Sequence, residues 1–346
     1  TIAANGTLSA PRGNLDLANV AFAKNASGTF THNNGNVKFS TAGGSSITTS
    51  DPVLYDLEVN QGGSNLDVTT NLTIEHNLTV TSGMLRPQPD TKGSELTITF
   101  GTTSYASQLE LDNYGIGFES GGNNTHACAL VGASSLYPFK VLSSSSAGID
   151  LDSGGSSSKV KLANIDYDKD ITSGGGGVTV TLTGDAEFNG FTLSSGDTLD
   201  LNGQRAEIDG LFDIDGSIDA DGMLILNDAI DYDGQGFSNP QNCTMIFRNT
   251  TGSLIRNDMP GVTNTKMVAF LNGSTGNDVI KPLNQYLLTS DVICAGRIDL
   301  DGTAQTDINN LTIPTGGMLN PISATLTCSG DFTTSGGLIG KSALDF

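Results

Sequence analysis

Along much of the chain, apolar residues fall at every second position in short runs broken by Gly, Asn and Asp. Residues 54–59 read Leu-Tyr-Asp-Leu-Glu-Val, 71–74 Asn-Leu-Thr-Ile, 77–80 Asn-Leu-Thr-Val, 96–100 Leu-Thr-Ile-Thr-Phe and 178–182 Val-Thr-Val-Thr-Leu. A period of two sends alternate side chains to opposite faces of a strand, so each run has one dry face and one wet face. Such runs are too short to stand as isolated hairpins. They become stable if the chain winds in coils and each strand pairs in register with the coils on either side, which predicts an all-β fold, a right-handed parallel β-helix (β-solenoid).

The segment 188–226 carries the pattern most clearly, with strand-like triplets and quartets separated by two to four turn residues. There Leu211, Phe212, Ile214, Ile218, Met223, Leu224 and Leu226 are predicted to point inward. A long-range echo supports coils: residues 77–87 match 310–321 with one inserted residue. The best-patterned stretches are 54–100, 186–228 and 296–340, while irregular spacing over 101–177 and 229–295 predicts coils carrying loops of variable length. At roughly 20 to 25 residues per coil and a rise of about 4.8 Å, the chain would make about 14 to 17 coils. We therefore expect one elongated unit over 1–346, with a possible subdivision near 174–177, where four glycines run together. The alternative is a pair of β-sandwich or jelly-roll domains meeting at that glycine run. Against it stand the shortness of the strands, the absence of Trp and an aromatic content of 6%.

Composition sharpens this picture. Of the 37 acidic residues only seven are Glu, and 30 Asp stand beside 29 Asn and 44 Gly, a set that favours turns over helix interiors. With 16 basic residues the formal charge is −21, and no window clusters Lys or Arg, so nucleic acid is not an expected partner. No run of about 18 apolar residues offers a membrane span. The opening at Thr1 reads as a processed or partial chain. Cys128, Cys243, Cys294 and Cys328 are far apart with no CxxC spacing, and they read as buried free thiols rather than as a zinc site or a disulfide framework.

Candidate chemistry is sparse. Asp213 with Asp215, and Asp219 with Asp221, put two carboxylates on one face of each of two neighbouring short strands, each pair before a Gly. If those strands stack, four like charges crowd together and a hard cation such as Ca²⁺ is the fitting ligand. The competing reading is that Asp and Gly make corners and a solvated face. Asp231 with Asp233, Asp299 with Asp301, and the trio Asp166, Asp168 and Asp170 carry the same pair of readings. His32, His76 and His126 stand in no HExxH or HxH arrangement, the Ser-rich windows lack a GxSxG elbow, and Gly174 to Gly177 lacks the Lys of a phosphate loop. A glycosidase could draw on two of the many carboxylates. A lyase acting on acidic sugars needs basic groups, of which only Arg205 lies in the best-patterned segment.

The stretch Gly28-Thr29-Phe30-Thr31-His32-Asn33-Asn34-Gly35-Asn36-Val37-Lys38-Phe39, followed by 54–59, resembles β-helix repeat proteins of phage virions and secreted bacterial surface proteins. The resemblance covers about 28–85, 188–226 and 296–340, and it implies architecture rather than activity, with no catalytic residue carried over. On it rests the expectation of a non-enzymatic virion fibre, spike or decoration protein, located on the virion surface or outside the cell. Loops would be presented to a receptor or glycan, and other virion or surface-layer subunits and copies of the chain, a trimer by preference, would be the partners. The alternatives are a polysaccharide-degrading tailspike or lyase on the same fold, and a bacterial adhesin module. No cofactor beyond the Ca²⁺ candidate is expected.

Overall fold

The computed structural model describes residues 1–40, 42–48, 50–88, 95–111, 116–117, 127–143, 149–150, 159–173, 177–228, 230–232, 236–249, 266–272, 279–280, 291–300, 305–321, 325–338 and 344–345. Among them there is no α-helix, and a single 3-10 turn spans Pro240–Asn242. The strands stack in parallel into a β-solenoid of about 11 turns. Parallel pairing throughout the named strands removes the sandwich alternative, whose sheets are antiparallel. The only antiparallel pairings among the described residues are two isolated bridges, Thr102↔Tyr105 and Ser134↔Tyr137.

Two compact units divide the chain, Thr1–Ala186 and Glu187–Phe346, a boundary slightly downstream of the glycine run. In the first unit each coil has three walls. One wall stacks Asn36–Phe39, the start of Asp56–Val68, the start of Asn77–Pro87, Gln108–Leu111 and Phe139–Ser143. The second wall continues the same long strands past a bend, pairing Leu66 with Leu85 and Leu85 with Ile116. The third stacks Leu72–Ile74, Glu95–Phe100, Ala127–Gly132, Lys159–Ala163 and Thr179–Leu182.

Because register is kept from coil to coil, like side chains meet like. Val37, Leu57, Leu78, Leu109 and Val141 form one buried column, and Leu72, Ile98, Leu130, Leu162 and Leu182 another. The second unit repeats the plan: Ala206, Leu224, Met245, Val268, Val292 and Leu311 make a buried column, while Phe191 stacks on Phe212 and Leu199 on Ile218. Each such side chain contributes roughly 1.5–3 kcal/mol of burial, so the columns hold the coils together.

The interval between stacked residues varies along the chain. Phe212 pairs with Ile230 across a short coil, Leu57 with Leu78 across a longer one, and Leu96 with Cys128 across a coil longer still. The longest coils fall in the loop-rich segment, as its irregular spacing predicts.

Within 188–226 the expected strands are present, as Ala186–Leu193, Thr198–Asp200, Arg205–Ile208, Phe212–Ile214, Ser217–Asp219 and Met223–Leu226. Phe212, Ile214, Ile218, Leu224 and Leu226 are buried as predicted. Leu211 is instead 49% exposed and Met223 only half-buried. Each precedes an inward residue, Phe212 or Leu224, and a period of two turns it to the outer face of the wall. The echo also diverges. Asn77–Pro87 is one strand bent at Gly83 (φ +78°), whereas the inserted residue of the later copy opens a turn at Gly316 (φ +89°) between Leu311–Ile313 and Met318–Pro321.

The Asp-Gly corners follow from the stacking. A Cβ at Gly216 would lie 2.6 Å from the Asp197 carbonyl oxygen of the preceding coil, and one at Gly222 would lie 2.5 Å from that of Gln204. Only glycine lets one coil's corner settle onto the backbone of the next.

Candidate functional site

At the corner of the first unit where the third wall turns into the first, one ring side chain recurs on successive coils: His32, Tyr55, His76 and Tyr105. Tyr55 and His76 each sit immediately before a first-wall strand, at Asp56 and Asn77. His32 belongs to the bend closed by the Gly35 N–H donating to the His32 carbonyl (2.9 Å), with Asn33 and Asn34 left-handed at φ +54° and +59°. Tyr105 closes the tight turn bridged to Thr102. Since coils rise by about 4.8 Å, rings at one corner stack face to face at nearly that spacing. Centroids lie 5.7 Å apart for His32 and Tyr55, 4.6 Å for Tyr55 and His76, and 4.6 Å for His76 and Tyr105, with interplanar angles of 23°, 5° and 23°.

Carboxylates fix the imidazoles. Asp56 Oδ1 lies 2.7 Å from His76 Nδ1 and also accepts the Asn77 backbone N–H at 3.0 Å. The Asn34 backbone N–H donates to His32 Nδ1 (3.0 Å), leaving Nε2–H to face Glu75 Oε2 at 3.2 Å across the intervening Tyr55 coil. Asn77 Oδ1 in turn accepts the Gln108 backbone N–H (3.1 Å). These four ionisable side chains are part-exposed, between 22% and 34%, so ring edges, carboxylates and hydroxyls form a polar seam along the corner. One coil further on, a turn of the same build carries Tyr137 at 41% exposure and Leu136 at 82%. Such a seam stabilises its corner and offers hydrogen-bonding groups to a polar ligand.

The four predicted calcium ligands are not brought together. Asp213 lies on the strand Phe212–Ile214 and Asp219 on Ser217–Asp219, consecutive strands of one coil on different walls, so they do not stack on each other. Asp213 is in register with Thr192 and Asp231, and Asp219 with Asp200 and Ser238. Asp215 and Asp221 sit exposed at the corners that follow. Of the four, Asp219 acts as a rung between coils, as Asp291 does further along. Asp219 Oδ1 accepts from Asn239 Nδ2 (2.8 Å), and Asp291 Oδ1 accepts from Asn309 and Asn310 Nδ2 (2.8 and 2.7 Å). Among the described residues no three His, Cys, Asp or Glu are grouped to hold a metal ion. Asp233, Asp301 and His126 lie outside the described residues, as do the side chains of Asp170, Asp231 and Asp299.

Arg205, placed by sequence in the best-patterned segment, pairs with Glu207, which also holds Arg248 (2.9 Å) and accepts from Asn227 Nδ2 (3.0 Å). The guanidinium charge is thereby engaged by the protein. All four cysteines are free and buried. Burial pushes the thiols of Cys243 and Cys294 up to about 12, with Asp221 adding to the effect on Cys243, and it raises Cys128 as well, helped by Glu95. Protonated thiols in such surroundings are not nucleophiles at neutral pH.

The ring column escapes sequence reading because its members recur at unequal intervals, which show no repeat until the coils are laid on one another. The available signal is the ring immediately before a strand start at Tyr55 and His76.

No family model matches the chain, and no curated protein or solved structure does. No helix among the described residues is long and apolar enough to cross a membrane.

Proposed function

We propose that the chain is a non-enzymatic structural protein of a virion or cell surface, a fibre, spike or decoration component that presents one flank of its coils for attachment to a receptor or glycan. The observation that carries this reading is the ring column. Its imidazoles and acids are paired with one another, Asp56 with His76 and Glu75 with His32, in an arrangement that builds a corner rather than poises a reaction. The same pairing governs the outer walls, where Lys38 meets Glu58 (2.5 Å) and Arg86 meets Asp67 (2.7 Å) on adjacent coils. Stacked coils tied by such rungs suit a stiff support. In this reading the protein works outside the cell beside copies of itself and neighbouring subunits.

The test is a panel of neutral and acidic polysaccharides offered to the purified chain, read for binding and for chain shortening. Retention without shortening, weakened by Tyr137→Ala, supports attachment through the seam. Depolymerisation of any member replaces this reading with that of a polysaccharide-degrading enzyme.

A further inference from the structure

The first unit holds polar side chains inside a coil where neighbouring positions are apolar. Gln61 is fully buried, and neither its Nε2 nor its Oε1 has a protein partner. Ser45, 5% exposed, has an Oγ in the same condition. Both stand at one bend of adjacent coils, Ser45 just after residues 42–44 and Gln61 just before 62–64. The two bends touch: Ser64 Oγ donates to the Ala42 carbonyl (2.7 Å), and a Cβ on Gly62 would lie 3.3 Å from that of Ala42.

The backbone departs from the regular ladder there. Between Asn60 and Asn65 one coil takes five steps while its neighbour takes two, from Ser82 to Met84, so the ladder slips on both sides of Ser82, the second time across Gly83. Gly62, Gly63 and Gly83 are left-handed at φ +58°, +95° and +78°. A Cβ at Gly83 would fall 2.9 Å from that of Gln61, so the glutamine is seated beneath a residue that must lack a side chain.

A primary amide carries two donors and an acceptor oxygen, and such groups are rarely left unpaired in protein interiors. A polar corner that supplies two to four hydrogen-bonding groups meets the requirement for bound water, and here Gln61 Nε2, Gln61 Oε1 and Ser45 Oγ supply three. We propose that this bend is a built water site: one or more ordered waters sit inside the coil, hydrogen-bonded to the Gln61 amide and the Ser45 hydroxyl. The water satisfies the buried side-chain groups where the register slips.

A high-resolution crystal structure of the full chain, with the Gln61→Met variant beside it, tests this. We expect solvent density within hydrogen-bond distance of both amide atoms. In the variant that density is lost, and the melting temperature stays unchanged or falls by a few degrees. Direct bonding of the amide to protein groups overturns the proposal. So does a rise of several degrees in Gln61→Met, because it means that the amide was buried without compensation. Should that variant not fold, Ser45→Ala removes one of the water's partners: weakened or shifted solvent density there supports the site, and unaltered density overturns a water shared by the two side chains.

Discussion

At the scale of single residues, the stack tolerates little. Gly222 has no space for a Cβ, and Gly222→Ala must push the Gln204 carbonyl aside, so we expect a loss of about 2–4 kcal/mol in urea unfolding. Gly13, with open space around its Cβ position, should accept Ala within about 0.5 kcal/mol. The cysteines report on the core in another way. Thiols raised from an ordinary 9.0 to about 12 favour the folded state below pH 9, and that contribution drains away as pH climbs toward 12. Stability should therefore fall above pH 9 by about 1 kcal/mol per pH unit for each of Cys243 and Cys294. A Cys243→Ala variant should show a shallower decline in melting temperature, and native protein should resist alkylation at pH 7.5 until unfolded.

At the scale of elements, the corner and the wall make separate predictions. His76→Ala removes ring contacts to Tyr55 and Tyr105 and one of the partners of Asp56, and we expect a cost of about 1–3 kcal/mol. His76→Phe keeps both stacking faces and should recover most of it, which a purely ionic role for His76 would not allow. On the wall, Phe212→Ala should cost about 3–5 kcal/mol while Leu211→Ala, one residue away, costs under about 1, and parallel denaturant titrations settle the contrast.

These elements also show what the sequence can reveal. Alternation identifies the strands of 188–226 and the parallel stack, because period two is a local property of each strand. It fails at Leu211 and Met223, where two apolar neighbours compete for one inward position. It cannot foresee the ring column, nor that Asp213 and Asp219 lie on different walls. Both depend on where each coil closes, and closure is set by coils of unequal length that follow no fixed period.

At the scale of the whole molecule, charge is the dominant fact. A formal −21 repels itself in the folded state, and screening relieves that repulsion as the Debye length shrinks from about 10 Å at 0.1 M salt to about 3 Å at 1 M. Melting temperature should rise with sodium chloride. Calcium chloride at matched ionic strength should add nothing further, since the carboxylates at Asp219 and Asp291 already accept from asparagine. A calcium-specific rise, abolished by chelation, would return Asp213, Asp215, Asp219 and Asp221 to consideration as ligands.

The uneven coil lengths have a consequence for how such a gene changes. Strands of one wall present the same pairing edges whether the coil between them is as short as that from Val37 to Leu57 or as long as that from Leu109 to Val141. Deleting or copying one entire coil therefore joins matching edges and leaves its neighbours in place. Losing a single codon inside a wall strand turns each following side chain of that strand to the opposite face. We therefore expect this chain to respond to insertion and deletion at two grain sizes, accepting whole windings far more readily than fractions of one.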